Sequence, residues 1–523
     1  RESEPVVMIP ISQEETEKVV KELKEQAEED TVMESEEEVQ FSSKRKAKAE
    51  AESAEVPLVP SKPMKDFEGN TIVMIDDRTT ASRYVKMNEL DLFQLSLTKK
   101  SPQFLKSGGY HFKVPERVKG QWAELNANRT KEVVAAMAHF WKNYEEFAWG
   151  ADEVRPLSKT GVNNNGHVGM TLVDSLDTLL LMNMTAEYAR AVEWIAKEFK
   201  LDSRDEVSVF EYSVHLLGGL LSAYEMAKDV ILLEKAAEVG DLLLQAFDKT
   251  SVFPAPMVVP HLNKAEQGKG KVYLAEIGCL ALEFNHLTKL THNTKYAKVI
   301  TTLYDAFFGL ETMNGLFPDS LSRTYGVVMK KEYSVGEATG VFYEYLLKSF
   351  VQSGNTDMRL KKRFDEVLQG VDKWLLRTSY HGGYTYIGSL IGNQLYPEME
   401  QYTCSFAALY ALQADLSPLS SASHSILKRA RALAYTCYSM FTEKPSGLAA
   451  DTVHFSENKD FETGAIGMEY KLRGEFAEML YHLYMVTEDP IYVEWGWEVF
   501  TVMVKDCMTE GGFAVYQDVN NPA

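Results

Sequence analysis

Apolar and polar positions alternate with the period of an α-helix over most of this chain. From about Arg129, the run Glu132-Val133-Val134-Ala135-Ala136-Met137 leads into Phe140 and Trp141 at helical spacing. Asp174 to Leu181 reads as another helix and Glu187 to Phe199 as the next. The β-branched alternation that strands need is scarce. The pattern predicts an all-α fold.

A longer period lies over the helical one. Several segments share one theme: a Glu, an apolar helix, a short turn with Thr, Asn or Asp, and another helix. Examples are Glu283-Phe284-Asn285-His286-Leu287 continuing to Thr291, Glu344-Tyr345-Leu346-Leu347-Lys348 continuing to Asn355, and Glu478-Met479-Leu480-Tyr481 continuing to Thr487 and Asp489. Gly218-Gly219-Leu220-Leu221 to Asp229 is a fourth. The starts recur near residues 211, 276, 340, 402 and 475. That spacing is too long for a small solenoid repeat and fits a helical hairpin plus one long loop. Such hairpins can close into a ring of outer and inner helices, with every inner helix beginning at the same end. Polar groups at those starts then converge on one cavity. About 13 helices fit between Arg129 and Asp506, paired outer then inner. The last, Tyr492 to Val504, is outer and has no partner. An unfilled apolar face there predicts an open ring, or a chain truncated before its last inner helix.

Length and charge refine this picture. The 523 residues allow one large core and something else. A net charge of -21 argues against nucleic acid or an anionic membrane as partner. Much of the excess sits in an amino-terminal arm, in Glu28-Glu29-Asp30 and Glu36-Glu37-Glu38. Glu17 to Glu29 could form a charged helix. Ser42 to Ala54 is a Lys/Glu/Ala/Ser mixture, followed by Pro57, Pro60 and Pro63. Such a stretch buries too little apolar surface to offset its ordering entropy. Residues 1–118 are therefore read as an acidic, disordered stem or linker, with an interaction arm as the alternative, and 119–523 as the helical domain. No apolar run approaches the roughly 18 residues of a membrane span. The chain opens on Arg1 without a signal peptide, which leaves an upstream signal or anchor open. Cys279, Cys404, Cys437 and Cys507 are too few for a disulfide scaffold and too far apart in sequence for a structural zinc site.

The candidate chemistry lies in the repeated helix starts. Glycoside hydrolysis needs two acids at one cavity, one to protonate the leaving oxygen and one to activate water or attack. Glu211 sits between Phe210 and Tyr212, Glu276 within Leu274-Ala275-Glu276-Ile277, and Glu400 after Met399. Glu475 follows Leu472-Arg473-Gly474, with Glu478 one turn on. Any one alone could be a carboxylate favoured by the local helix dipole. Recurrence at one place in several repeats argues for more. The apolar neighbours of Glu211 predict a raised pKa unless it is paired. No Gly-x-Ser-x-Gly elbow and no phosphate-binding Gly-rich loop competes. Gly108-Gly109 and Gly382-Gly383 read as turns, His286 and His482 as core or surface residues, and Trp495 and Trp497 as packing.

Over about residues 129–523 the chain resembles the class I α-mannosidases, the calcium-dependent glycoside hydrolase family 47. The phrases that carry the resemblance include Trp141-Lys142-Asn143-Tyr144, Ala148-Trp149-Gly150, Thr171-Leu172-Val173-Asp174-Ser175-Leu176-Asp177-Thr178, Val209-Phe210-Glu211, Tyr343-Glu344-Tyr345-Leu346-Leu347-Lys348 and Trp495-Gly496-Trp497-Glu498. The resemblance implies an (α/α)7 barrel that removes α1,2-linked mannose from high-mannose N-glycans with inversion, using one Ca²⁺ at the barrel floor. It implies Glu211 as acid and Glu475 as base, Glu276, Glu400, Glu478 and His215 as substrate contacts, and Glu478 as a metal contact through water. It also implies a Cys404–Cys437 disulfide and residence in the endoplasmic reticulum or Golgi lumen, anchored by a segment outside this sequence. The sequons Asn128-Arg129-Thr130 and Asn183-Met184-Thr185 suit that compartment.

Several positions depart from the family pattern. Gly340 stands where a catalytic Asp is expected, Ala338 and His215 where Arg is common, Gly474 for a Pro and Gln401 for a His. Glu337, almost one helical turn before Gly340, could substitute only through a shifted helix. The family's final inner helix and its calcium-binding Thr are not in the sequence. These departures set two alternatives beside the hydrolase: a catalytically impaired, glycan-binding relative in glycoprotein quality control, and a non-functional fragment.

Overall fold

A computed structural model describes residues 64–65, 71–77, 80–98, 100–248, 250–265 and 270–521. Seven outer helices run in chain order: α3 (Lys119–Phe147), α6 (Thr185–Glu198), α9 (Val230–Leu243), α12 (Lys295–Phe308), α14 (Met358–Gly370), α16 (Ser421–Thr442) and α18 (Ile491–Cys507). Six inner segments alternate with them: α4 and α5 (Met170–Asp174, Leu176–Leu181), α7 and α8 (Val209–Glu211, Gly218–Ala227), α10 and α11 (Leu274–Gly278, Ala281–Thr291), α13 (Gly340–Gln352), α15 (Ser405–Asp415) and α17 (Glu475–Thr487). The two preceding helices are α1 (Glu89–Thr98) and α2 (Pro102–Lys106).

The two sets differ as their places require. Outer helix α14 buries Leu360, Phe364, Val367 and Leu368, a single stripe at positions i, i+4, i+7 and i+8. Inner helix α15 is buried almost all round, from Ser405 through Ala411. Along the ring α5 packs on α8, α8 on α11, α11 on α13, α13 on α15 and α15 on α17, and each inner helix also packs on the outer helix that follows it. Most of these hairpins turn at one residue in the left-handed region: Asn183, Lys228, His292, Asn355 and Glu488. An Asp then starts the next outer helix at three of them. Asp357 accepts the Arg359 N–H and Asp489 the Ile491 N–H (both 3.1 Å), while Asp229 takes the Tyr188 hydroxyl (2.6 Å). These are the turn residues visible in the repeated theme.

Beyond residue 88, the described strands are two or three residues long and lie in the segments that follow the outer helices. The longest pairing, Thr71–Asp77 with Thr80–Met87, precedes the ring. None contributes to the ring wall. Among the described residues no helix is long and apolar enough to cross a membrane.

One boundary moves. Residues 1–63, with the acidic runs and the proline cluster, lie outside the described residues. Residues 89–118, placed in a disordered stem by sequence, are folded onto the outside of the ring. Phe93 and Leu97 of α1 bury with Val118 and Trp122. The Tyr110 hydroxyl donates to the Arg431 carbonyl (2.9 Å), and the Phe112 N–H donates to Asp489 (2.9 Å). Leu90, Phe93 and Leu97 recur at i, i+3 and i+7, but over a helix of only 10 residues whose packing partners lie farther along the chain.

Cys404 and Cys437 form a disulfide between the start of α15 and the middle of α16, with Cα atoms 5.9 Å apart. It ties an inner helix to its outer partner across 33 residues of sequence. Replacing both with Ala is expected to cost about 3–4 kcal/mol, the loop-entropy value for that separation, measured as a lower midpoint in denaturant unfolding.

Candidate active site

The inner helices bring their first turns to one end of the ring; of the acids nominated from sequence, Glu211, Glu276, Glu475 and Glu478 lie in those turns, and Glu400 ends a short strand before one of them. Glu211 closes the first turn of its helix. Ser208 Oγ, not a carboxylate, caps that turn by accepting the Glu211 N–H (3.2 Å). The Glu211 side chain is free to reach His215, with Oε2 3.2 Å from Nε2. On its other side His215 Nδ1 is 3.0 Å from Asp174 Oδ2. The backbone between them widens into a π-helix over Tyr212–Leu217, a distortion common at functional sites. Hydrogen bonds to Asp174 and Glu211, opposed by burial, raise the His215 pKa to about 10. His215 is therefore an imidazolium bridging two carboxylates at neutral pH.

A second cation between acids lies one turn deeper. Lys348 of α13 contacts Glu344 one turn back and Glu478 of α17, the latter at 2.9 Å. His482 Nε2 is 3.7 Å from the same Glu478 oxygen. Burial holds Glu344 above the usual carboxylate range. Burial also opposes ionisation of Glu478, but His482 and Lys348 hold it well below that range. The two carboxylates face each other across Lys348 and titrate as a pair.

Arg473 makes the third bridge. Its Nε is 2.5 Å from Asp451 and its Nη2 is 2.9 Å from Glu337. Two residues on, Glu475 begins α17. Burial raises its pKa, Arg473 opposes that rise, and Oε2 is buried with no hydrogen-bond partner.

The remaining candidates are partly committed to structure. Glu276 Oε2 accepts the Tyr273 N–H (2.8 Å), capping its own helix. Glu400 Oε2 accepts the Glu337 N–H (2.7 Å) and packs over Gly336, so it braces the turn that leads into α13. Burial raises its pKa as well. Glu337 lies in that turn, not on the helix, and its carboxylate is largely exposed and drawn to Arg473. It does not reach across to Gly340.

Gly340 has no room for a side chain. A Cβ there would overlap the edge of the Tyr402 ring and lie 2.8 Å from the Val335 carbonyl oxygen. Tyr402 occupies the volume that an acid at 340 would need. Burial and the nearby Glu344, Glu475 and Glu478 carboxylates push its phenol pKa up. Asp174, Lys348, Arg473 and Tyr402 were not nominated from sequence. Only the Glu344–Lys348 spacing carried a local signal, at i and i+4. Another buried acid, Glu283, accepts the Tyr345 hydroxyl (2.8 Å), and burial raises it to about 7.

The resemblance implies a bound calcium ion. Among the described residues no group of three or more His, Cys, Asp or Glu side chains is placed to hold a metal. Glu478, the nominated contact, is already engaged by Lys348.

A ring of helical hairpins around an acid-lined cavity is an (α/α) barrel. The α-1,2-mannosidase of Trichoderma reesei shares the fold, with a TM-score of 0.70 and 23% identity, covering 75% of this chain and 88% of that one. The sequence model of Glycosyl hydrolase family 47 matches residues 136–523, and the chain belongs to that family. It is 34% identical over 404 residues to the human mannosyl-oligosaccharide 1,2-alpha-mannosidase IC, covering 76% of this chain and 64% of that protein. It is 32% identical over 411 residues to the Arabidopsis thaliana mannosyl-oligosaccharide 1,2-alpha-mannosidase MNS1, covering 76% of this chain and 72% of that protein. The chain thus spans less than two thirds of the human relative.

Two measurements test this geometry. The His215 ring should titrate near 10 by NMR, and Asp174→Asn should bring its midpoint down toward the ordinary 6.5. Because the folded pKa is the raised one, the stabilisation from this bridge is complete below about 6.5 and is lost as pH rises toward 10. Gly340→Ala should destabilise the fold by about 1–3 kcal/mol through overpacking. Tyr402→Leu in the same chain should recover part of that loss, read as coupling in a double-mutant cycle.

Proposed function

We propose that the chain is a glycosidase removing α1,2-linked mannose from high-mannose N-glycans, with inversion at the anomeric carbon. The observation that carries this reading is the convergence of carboxylates from separate inner helices, with Glu475 keeping one buried oxygen unpartnered. Glu475 is assigned as the base. Burial strengthens its proton affinity, and Arg473 opposes that rise in favour of the charged form. It takes a proton from water as the water oxygen attacks the anomeric carbon. Glu211 is assigned as the acid that protonates the departing glycosidic oxygen. Its carboxylate first takes that proton from the His215 imidazolium, 3.2 Å away, which is left neutral. Glu276, Glu400, Glu478 and His215 are assigned to the sugar. Calcium, where bound, would polarise water and sugar hydroxyls; no step here depends on it.

The Cys404–Cys437 disulfide supports an oxidising secretory lumen, and a rat relative is named for the endoplasmic reticulum. Residues before the packed segment at 89 are assigned as a stem, and a membrane anchor would lie outside this sequence.

The deciding experiment is mannose release from a high-mannose N-glycan by the purified chain, with Ca²⁺ and with chelator. Release is expected, and Glu211→Gln or Glu475→Gln should reduce it by about two to four orders of magnitude in a chain that stays folded by circular dichroism. Unchanged release by Glu211→Gln removes that residue from the mechanism. No release by a folded wild-type chain that still binds the glycan replaces hydrolysis with binding.

A further inference from the structure

A second cavity of about 400 Å³ opens on the outside of the ring. Its walls are the end of α2 and the following residue (Lys106, Ser107), the hairpin strands Leu376–Thr378 and Thr385–Ile387, and α16 (Ser425, Lys428, Arg429 and Ala432). Its lining includes four cations, Lys106, Arg377, Lys428 and Arg429, and no acid, in a chain of net charge -21.

The cations retain unused capacity. Lys428 is exposed, and its ammonium has no ion pair or hydrogen bond among the described residues. Arg377 uses only Nη1, on the carbonyls of Lys373 (3.2 Å) and Leu376 (2.7 Å). Arg429 is the exception: its Nη2 pairs with Asp372 (3.1 Å), its Nη1 reaches Ser425 Oγ (3.5 Å), and its Nε is buried. Lys106 donates to the Gly382 carbonyl (2.5 Å) and lies over the Tyr384 ring. Glu443 and Asp460 favour its charge, whereas burial lowers its pKa. These acids and Asp372 are not among the lining residues. The site is rigid on one side, because Gly108, in the left-handed region, sits directly on the α16 backbone at Lys428, where a Cβ would collide.

We propose that this cavity binds a sugar carrying a phosphate monoester. Clustered Arg and Lys donors recognise a tetrahedral oxyanion, and a phosphate monoester carries about -1.5 to -2 charges at neutral pH. The volume falls in the range of small-molecule sites and exceeds the needs of a bare oxyanion. Thr378 and Thr385 offer side-chain hydroxyls without partners among the described residues, matched to sugar hydroxyls. The site lies on an outer helix and does not depend on the mannosidase reading.

The test is calorimetric titration of the full chain with glucose 6-phosphate, glucose 6-sulfate, inorganic phosphate and glucose. Glucose 6-phosphate is expected to bind most tightly, inorganic phosphate to compete more weakly, and glucose not to bind. Lys428→Ala should weaken binding by about tenfold, and adding Arg377→Ala should weaken it further, with the fold checked by circular dichroism. Glu211→Gln should leave binding unchanged, which separates this site from the barrel cavity. Equal affinity for inorganic phosphate overturns the sugar assignment, and equal affinity for the sulfate overturns the phosphate assignment. No binding, or binding indifferent to Lys428→Ala in a folded chain, overturns the site.

Discussion

The structure rests on the requirement that every inner helix begin at the same end of the ring. Tight left-handed turns at residues such as Lys228, His292 and Glu488 send each inner helix directly into its outer partner. The long return loops then carry the chain back to the starting end. Helix starts concentrate unpaired N–H groups and the positive end of each dipole, so carboxylates are tolerated there. Residues as distant in sequence as Glu211 and Glu475 are placed at the same end for this reason.

Collecting acids in a walled cavity is costly unless cations divide them. The chain solves this three times in one way: Asp174–His215–Glu211, Glu344–Lys348–Glu478 and Asp451–Arg473–Glu337 each set one cation between two carboxylates. Three cations against these six acids leave the lining negative, before Glu276, Glu400 and Glu475 are counted. A negative lining suits neutral sugar hydroxyls in the ground state. It also suits the positive charge that develops at the anomeric carbon when a glycosidic bond breaks.

Much of this was legible in the sequence because helical period and hairpin repeat are local properties. The helix starts near 211, 276, 340, 402 and 475 fall within three residues of those in the structure, at 209, 274, 340, 405 and 475. Partners from other hairpins were not legible. Asp174 meets His215 across 41 residues, and Lys348 meets Glu478 across 130. The folded segment at 89–118 escaped notice for the same reason, since Phe93 and Tyr110 find their partners in distant parts of the chain. Glu276 shows the opposite limit: its position in the repeat was plain, but one of its oxygens is used to cap its own helix.

The substitutions at 215 and 340 look alike as departures from a family pattern, yet they differ physically. An imidazole is ordinarily uncharged at neutral pH, so His in place of Arg would normally remove a cation. Here Asp174 and Glu211 supply the charge from outside the residue by raising its pKa. Nothing comparable rescues position 340. The lost group there is an acid, its volume is taken by the Tyr402 ring, and Glu337 is held away by Arg473. A neighbouring field can restore a charge to a titratable side chain. It cannot restore a carboxylate to a glycine.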